Sequence, residues 1–410
     1  MATEITTALN IPDHVPPELV WDHDFDSFCR ELDDPFLAAS RMLDGPPIVW
    51  GRSVFFGRPA WILARHALIE EAFFRTEVFS SERITPDERS GMRMIPVGLD
   101  PPEHGKYRRI LQPYFSPKSM RSMEGMVIET CDSLIAAIAD KGHCEFIHDF
   151  AARLPNMVFL SMMGMPLDML DQFIEWEQLL IRAKDDEVRT GAARSIMMYL
   201  NGFIAEQRKE TTTELMRILL AAEVDGKPMT DIDLLGTCFL LYVGGLDTVY
   251  SSLGWIFRHL AQDQDLQQRL RDNPKDIAAA VEEFERAYPV ARPTRTVAQD
   301  CTFHGVPMRK GEFVILPTYI AGRDPAVYAD PHRVDIDRKA RNITFATGPH
   351  TCLGVFLAKR EINIVIEAFL SRFRNIRVPE GGGYDYHVGG VFGVDRLPLE
   401  WDMPNDKGGL

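Results

Sequence analysis

The densest chemistry in this chain of 410 residues lies in Phe345-Ala-Thr-Gly348-Pro-His350-Thr-Cys352-Leu-Gly354, which runs into an amphipathic helical pattern. The segment sets a sulfur just ahead of a helix N-terminus, where backbone N–H groups and the helix dipole favour an anion. A thiol placed there is expected to ionise readily and to act as a nucleophile or a metal ligand. No Cys or His stands at finger spacing from Cys352, which argues against zinc. Taken alone, Cys352 also reads as an inert buried cysteine. Phe345, Gly348, His350 and Gly354 at fixed offsets favour the chemical reading.

Three further segments carry chemical residues. Gly244-Gly245-Leu246-Asp247-Thr248 lies inside a long apolar pattern. Two interior glycines cost a helix ~1 kcal/mol each relative to Ala, so something must compensate. Gly244 and Thr248 share a face, which makes either a groove for a flat ligand or a close helix–helix crossing. Asp247 stands beside that face and can relay protons. Glu283-Phe284-Glu285-Arg286 contains a Glu-x-x-Arg pair, on its own an ordinary helical ion pair worth ~0.2–0.5 kcal/mol. Asp100-Pro101-Pro102 leads into His104, Lys106, Arg108 and Arg109, a basic cluster that alone is equally a solvated face.

These segments need elements to hold them. Thr230 reads as the N-cap of a helix over 231–262, roughly 48 Å long at ~1.5 Å per residue. It lacks a heptad seam and is expected to be a central helix buried on most sides. Ser116-Pro117 opens a helical run to 140. Further helices are expected at 35–43, 154–163, 168–182, 191–209, 213–223, 277–288 and 353–373. Residues 48–63 and the tail 384–401 read as hairpins, and 296–316 as short strands. The fold class expected is mainly α, one large helical domain over 1–410 with small antiparallel β-sheets, an irregular segment 1–30 and a disordered tail 403–410.

Composition removes other classes. With 45 Lys+Arg against 60 Asp+Glu the net charge is −15, the wrong sign for a nucleic-acid binder. The 45% hydrophobic content excludes disorder. The N-terminal residues lack a basic n-region and apolar h-region, and the most apolar stretch, 13 residues ending before Asp247, falls short of the ~20 that span a bilayer. Six cysteines without a CxxC or framework spacing read as reduced thiols. The expectation is a cytoplasmic protein with no membrane association.

The segment 345–354 resembles the haem-binding signature of the cytochrome P-450 family, Phe-x-x-Gly-x-His/Arg-x-Cys-x-Gly, at every position. The other three segments follow in the family's order, and the resemblance is nearest the bacterial camphor hydroxylases and their relatives. It implies haem b as cofactor, with Cys352 as axial ligand of the iron, the thiolate favouring O–O cleavage. It further implies that Phe345, Gly348, Gly354 and Gly244 shape the haem site and that His104, Arg108, Arg295 and His350 meet the haem propionates. Thr248 and Asp247 would form the oxygen-activation motif. Glu283 and Arg286 would form a structural triad with Arg333.

By the same resemblance Met92 takes the place of a Tyr that bonds the ketone of camphor, and methionine has no such donor. The substrate pocket would be lined by Met92, Leu240, Val243, Gly244, Ala291 and Val391, all apolar. This implies a compact hydrophobic substrate, a monoterpenoid or norisoprenoid such as an ionone- or camphor-like ketone. Arg83, Arg89 and Arg93 open an alternative, a small carboxylate-bearing aromatic. A peroxide-using variant and a haem sensor without turnover are further alternatives. A complete Asp247/Thr248 pair argues against both. The implied partners are O2 and a [2Fe-2S] ferredoxin with an NADH-dependent reductase, acting on a monomer. Lys106, Arg108, Arg109, Lys359 and Arg360 flank the Cys352 side and would form a basic docking patch for that acidic ferredoxin.

Overall fold

The Thr230 hydroxyl accepts the Asp233 N–H at 3.2 Å and starts the longest helix, Asp231–Leu260. Its start is where the sequence places it, and it ends two residues short of 262. In the computed structural model, which describes residues 11–83, 93–183, 185–339 and 341–403, this helix runs through the centre. Eight helices build the site: α1 (Glu103–Leu111), α2 (Glu124–Ile138), α3 (Arg153–Met163), α4 (Leu170–Arg182), α5 (Asp186–Lys209), α6 (Asp231–Leu260), α7 (Ile277–Ala287) and α8 (Val355–Arg372). Helix α6 packs on α3, α4, α5 and α8, while α2 and α7 close over α8.

Apolar residues on several sides of α6 produce this arrangement. Leu234, Cys238, Tyr242, Leu246, Tyr250, Leu253 and Phe257 are all buried, and fully burying each large one contributes ~1.5–3 kcal/mol. Among the described residues α6 is the one helix long and apolar enough to cross a membrane, but its apolar faces are taken up by its neighbours. Small residues let those neighbours approach. A Cβ on Gly236 would sit 2.2 Å from the Arg93 carbonyl oxygen, and one on Gly254 would sit 2.9 Å from Val394.

The largest sheet has six strands in the order Val20–Asp24, Ile48–Phe55, Arg58–Leu63, Phe313–Ile315, Thr294–Val297 and Phe79–Ser80. It is mixed, with two parallel pairings, whereas only antiparallel ones were expected. The 48–63 hairpin is present. The expected tail hairpin is divided: Asp385–His387 pairs with Gly393–Arg396, while Pro398–Asp402 joins a separate sheet between Arg374–Arg377 and His143–Glu145. The expected helix over 213–223 stops at Leu220, because Glu223–Val224 turns into a strand pair. Two longer helices escaped the sequence reading, as did the single turns Phe25–Phe28 and Thr318–Ala321, the first of which follows strand Val20–Asp24 inside the segment expected to be irregular. His66–Phe74 is apolar on most sides and shows little period, and Gln264–Asp272 carries only two leucines.

Candidate active site

Helix α8 begins at Val355, and the loop before it is fixed by its backbone. Cys352 N–H donates to the Phe345 carbonyl at 2.8 Å and Thr351 N–H to that of Gly348 at 3.2 Å. Gly348 has φ +74°, and a Cβ there would stand 3.0 Å from the Phe73 carbonyl oxygen, so glycine is required twice over. Gly354 caps α8, and the N–H groups of Gly354 and Val355 point at the Cys352 sulfur. The expectation of an easily ionised thiol is nonetheless corrected. Burial pushes the Cys352 pKa up, and it outweighs those N–H groups and the nearby Arg108. A bound metal cation is what would make this sulfur a thiolate.

Although deep in the protein, Cys352 has an exposed surface, because it faces an internal cavity of about 370 Å³. Phe345, His350 and Gly354 share its wall, and Leu240, Gly244, Thr248 and Ala291 stand on other walls. Val243 and Val391, expected to line the pocket, are absent from the lining. Both pack against the core instead, Val391 bridging to Ala291 by its backbone. Met92 and Arg89 lie outside the described residues.

The adjacent glycines divide the two readings of their segment. Gly244 has open space where a side chain would be, so it forms a groove in α6. Gly245 is the close crossing, since its Cβ would meet the Phe159 ring of α3 at 3.2 Å. One turn on, the Thr248 hydroxyl donates weakly to the Gly244 carbonyl at 3.4 Å, and the Ser252 hydroxyl takes the Thr248 carbonyl at 2.9 Å. Asp247, 1% exposed, is turned from the cavity to Arg182 of α4 at 3.2 Å. Arg182 also holds Asp395 at 2.7 Å, and Asp395 meets His387 at 2.7 Å.

A cationic rim borders the cavity. The His104 and His350 rings lie 4.2 Å apart between Arg108 and Arg295. Burial, with the neighbouring arginines, drives the His104 pKa down to about 4 and His350 to about 3. Arg295 is lowered to about 10 by burial, and its Nε has no partner. Its one recorded hydrogen bond is to the Thr294 carbonyl, 2.8 Å. Buried arginines without a carboxylate in contact are costly, so the rim fits an anionic ligand.

The Glu-x-x-Arg pair is buried, Arg286 gripping Glu283 with two bonds of 2.8 Å and reaching the carbonyls of Gly322, Pro331 and Arg333. The third member is corrected. Arg333 is exposed and contributes its carbonyl, whereas Arg338 reaches Glu283 at 3.2 Å with its guanidinium. The expected docking patch is also redrawn. Arg108 is half-buried and faces the cavity. Lys106 holds Glu103 and Asp225, Lys359 holds Glu282 and Glu285, and Arg360 holds Glu124. Arg109 is exposed.

Sequence reasoning missed Glu285 and Glu361 on the cavity wall and the Arg182 and Glu177 side of Asp247. A signal existed for Glu177. It follows Leu170 and Phe173 on the buried stripe of α4, a charge at an apolar position.

A thiol facing a deep cavity that also holds a helical groove with a hydroxyl and a rim for anions defines a haem-thiolate protein. The Cytochrome P450 family model matches residues 179–281 and 277–385. A "Probable cytochrome P450 127A1" of Sinorhizobium fredii is 34% identical over 95% of this chain and 97% of that protein. A "Steroid C26-monooxygenase" of Mycobacterium tuberculosis is 30% identical over 74% of this chain and 83% of that protein. The crystal structure of CYP101J2 superposes with a TM-score of 0.87 at 32% identity, covering 96% of this chain and 99% of that one. CYP101C1 gives 0.88 at 29%, covering 96% and 100%. The chain belongs to the cytochrome P450 family and is a monooxygenase with haem b as cofactor. The residues fit the group: Cys352 would hold its iron, and the rim would hold its propionates.

Proposed function

We propose that this monooxygenase hydroxylates a compact, neutral, hydrophobic substrate, a monoterpenoid or norisoprenoid such as an ionone- or camphor-like ketone. The observation that carries this reading is the apolar wall across the cavity from Cys352, where Leu240, Gly244, Val249, Val290 and Ala291 stand together. The alternative, a carboxylate substrate, needs a cation in that wall. Arg93 is exposed and Arg83 lies over the Phe313 ring at 5.1 Å, and neither lines the cavity.

Bound haem supplies the oxygen-activating iron. The groove at Gly244 leaves room beside it, the Thr248 hydroxyl offers a hydrogen-bond donor on the cavity wall, and Asp247 connects that wall through Arg182 to the half-exposed Asp395. Protons drawn from solvent at Asp395 reach Asp247 on this side of the helix, with Arg182 orienting the two carboxyls and keeping its own proton. Electrons are assigned to a [2Fe-2S] ferredoxin reduced by an NADH-dependent reductase and docking on the face that carries Arg109. With Lys106, Lys359 and Arg360 already paired, they should add only modest steering and a shallow dependence of turnover on salt. The remaining assignments are a monomer in the cytoplasm.

The test is a panel of terpenoid ketones, a steroid and an aromatic carboxylate, read by the change of haem spin state on binding. Saturable shifts confined to the small ketones are expected. A shift with the steroid or the carboxylate alone would overturn the assignment.

A further inference from the structure

Behind the oxygen-facing groove lies a second acid that the mechanism above does not use. Glu177 of α4 is 1% exposed, and neither carboxyl oxygen has a hydrogen-bond partner. It is enclosed by α3, α4 and α6. Burial, and then Asp247 of α6, raise its pKa, while Arg182 and the Asn156 amide of α3, which is within hydrogen-bonding reach, act in the opposite direction.

Asn156 reports the state of this acid. Fully buried, it donates its amide N–H to the Ala152 carbonyl at 2.7 Å, while its amide oxygen receives no hydrogen. A carboxylate cannot supply one, but a carboxylic acid can, so protonating Glu177 satisfies two orphaned groups with one bond. Charge balance agrees. The charged neighbours of the cluster are Arg182 on α4, Asp247 on α6, and Asp395 and His387 on the strand pair beside α6. Arg182 is already shared between Asp247 and Asp395, and among the described residues neither Glu177 oxygen is held by a hydrogen bond. One guanidinium cannot hold three ionised carboxyls in a buried site. Burial accordingly pushes both Glu177 and Asp247 upward.

We propose that Glu177 is a positioning residue for oxygen activation: it and Asp247 form a buried carboxyl pair that retains a shared proton at neutral pH, bonded through Glu177 to Asn156. When Asp247 gives a proton toward the Thr248 side of the cavity, the pair is left doubly ionised beside one arginine. That state takes a replacement proton from solvent by way of Asp395, which reaches the surface beside the mostly covered His387. One proton leaves toward the cavity and one enters from water, so the cluster ends each cycle unchanged. The inference rests on the monooxygenase reading of Asp247 and adds to it a device for refilling the acid.

Infrared spectroscopy of the resting holoprotein at neutral pH tests the proton directly. In the difference between wild type and Glu177→Gln a carboxylic-acid C=O band is expected, displaced by D2O and by glutamate labelled with 13C, over and above the bands of buried Glu285 and Glu361 that both proteins share. Turnover supplies the second readout. Glu177→Gln leaves Arg182 to stabilise Asp247 as an anion, so the pH above which product per NADH declines should move downward, while the reduced CO spectrum stays that of the wild type. A wild-type spectrum whose label-sensitive acid bands are identical to those of Glu177→Gln, or an unmoved pH profile, would each overturn the proposal. Should Glu177→Gln not fold, Asn156→Leu decides: removing the acceptor should shift the Glu177 band and leave those of Glu285 and Glu361 in place, and an unshifted spectrum would overturn the proposal. A wild-type CO spectrum without the thiolate signature would defeat the functional reading instead, and the infrared band would still report on Glu177.

Discussion

Gly244 and Gly245, neighbours in α6, have opposite surroundings: a side chain on the first would enter the open cavity, and one on the second would strike the Phe159 ring at 3.2 Å. Replacing each therefore has a different consequence. Gly244→Ala should raise thermal stability by up to ~1 kcal/mol, the helix-propensity gain, while weakening the spin-state shift given by substrate. Gly245→Val overpacks the α3–α6 contact and should lower stability by ~1–3 kcal/mol. Thermal unfolding of both variants checks the pair, and equal losses would contradict this division.

Arg338, not Arg333, completes the cluster around Glu283. Breaking the buried ion pair with Arg286→Ala should cost ~3–5 kcal/mol. Arg338→Ala removes a bond to a buried carboxylate, ~1–3 kcal/mol, whereas Arg333→Ala should stay within ~0.5 kcal/mol. Denaturant titration of the three gives the order.

Glu361 of α8 is 2% exposed, and burial raises its pKa from 4.5 to about 8. Between those values the folded chain keeps a proton that the unfolded chain has released. Unfolding then sheds a proton, and the contribution of this group to stability falls as pH rises from 4.5 toward 8. Glu361→Gln should therefore be more stable than the wild type near pH 8, with the advantage vanishing at about pH 4. Melting curves at both values test the sign.

In the proposed mechanism Thr248 and Asp247 would serve the same event from two sides. Thr248→Ala should leave the reduced CO spectrum unchanged but divert electrons to hydrogen peroxide, lowering product per NADH. Asp247→Asn removes the acid facing Arg182 and should slow oxygen consumption by about 100-fold, the lower range for a general acid. Unchanged coupling in the first variant, or unchanged rate in the second, would remove the residue from its assigned role.

Features made by neighbours in sequence could be read from the chain. Thr230 caps α6 because its hydroxyl reaches Asp233 three residues on, and the Cys352 loop closes on Phe345 seven residues before it. Such contacts depend on local backbone geometry, which residue type and spacing report. The family resemblance likewise rests on short contiguous patterns.

Pairings between distant segments were the ones misplaced. Nothing in 330–338 distinguishes Arg333 from Arg338 as the partner of Glu283 until the loop is folded against α7. Asp247 and Arg182 are separated by 65 positions, and their contact exists because α4 crosses α6 at that turn. The pKa of Cys352 belongs here too, since burial in the folded interior reverses what a helix N-terminus alone implies. By itself the sequence determined the cysteine that faces the cavity, the groove in the long helix and the class of reaction. Tertiary structure alone decided which charges meet, because desolvation and ion pairing act on groups that only folding brings within a few ångströms.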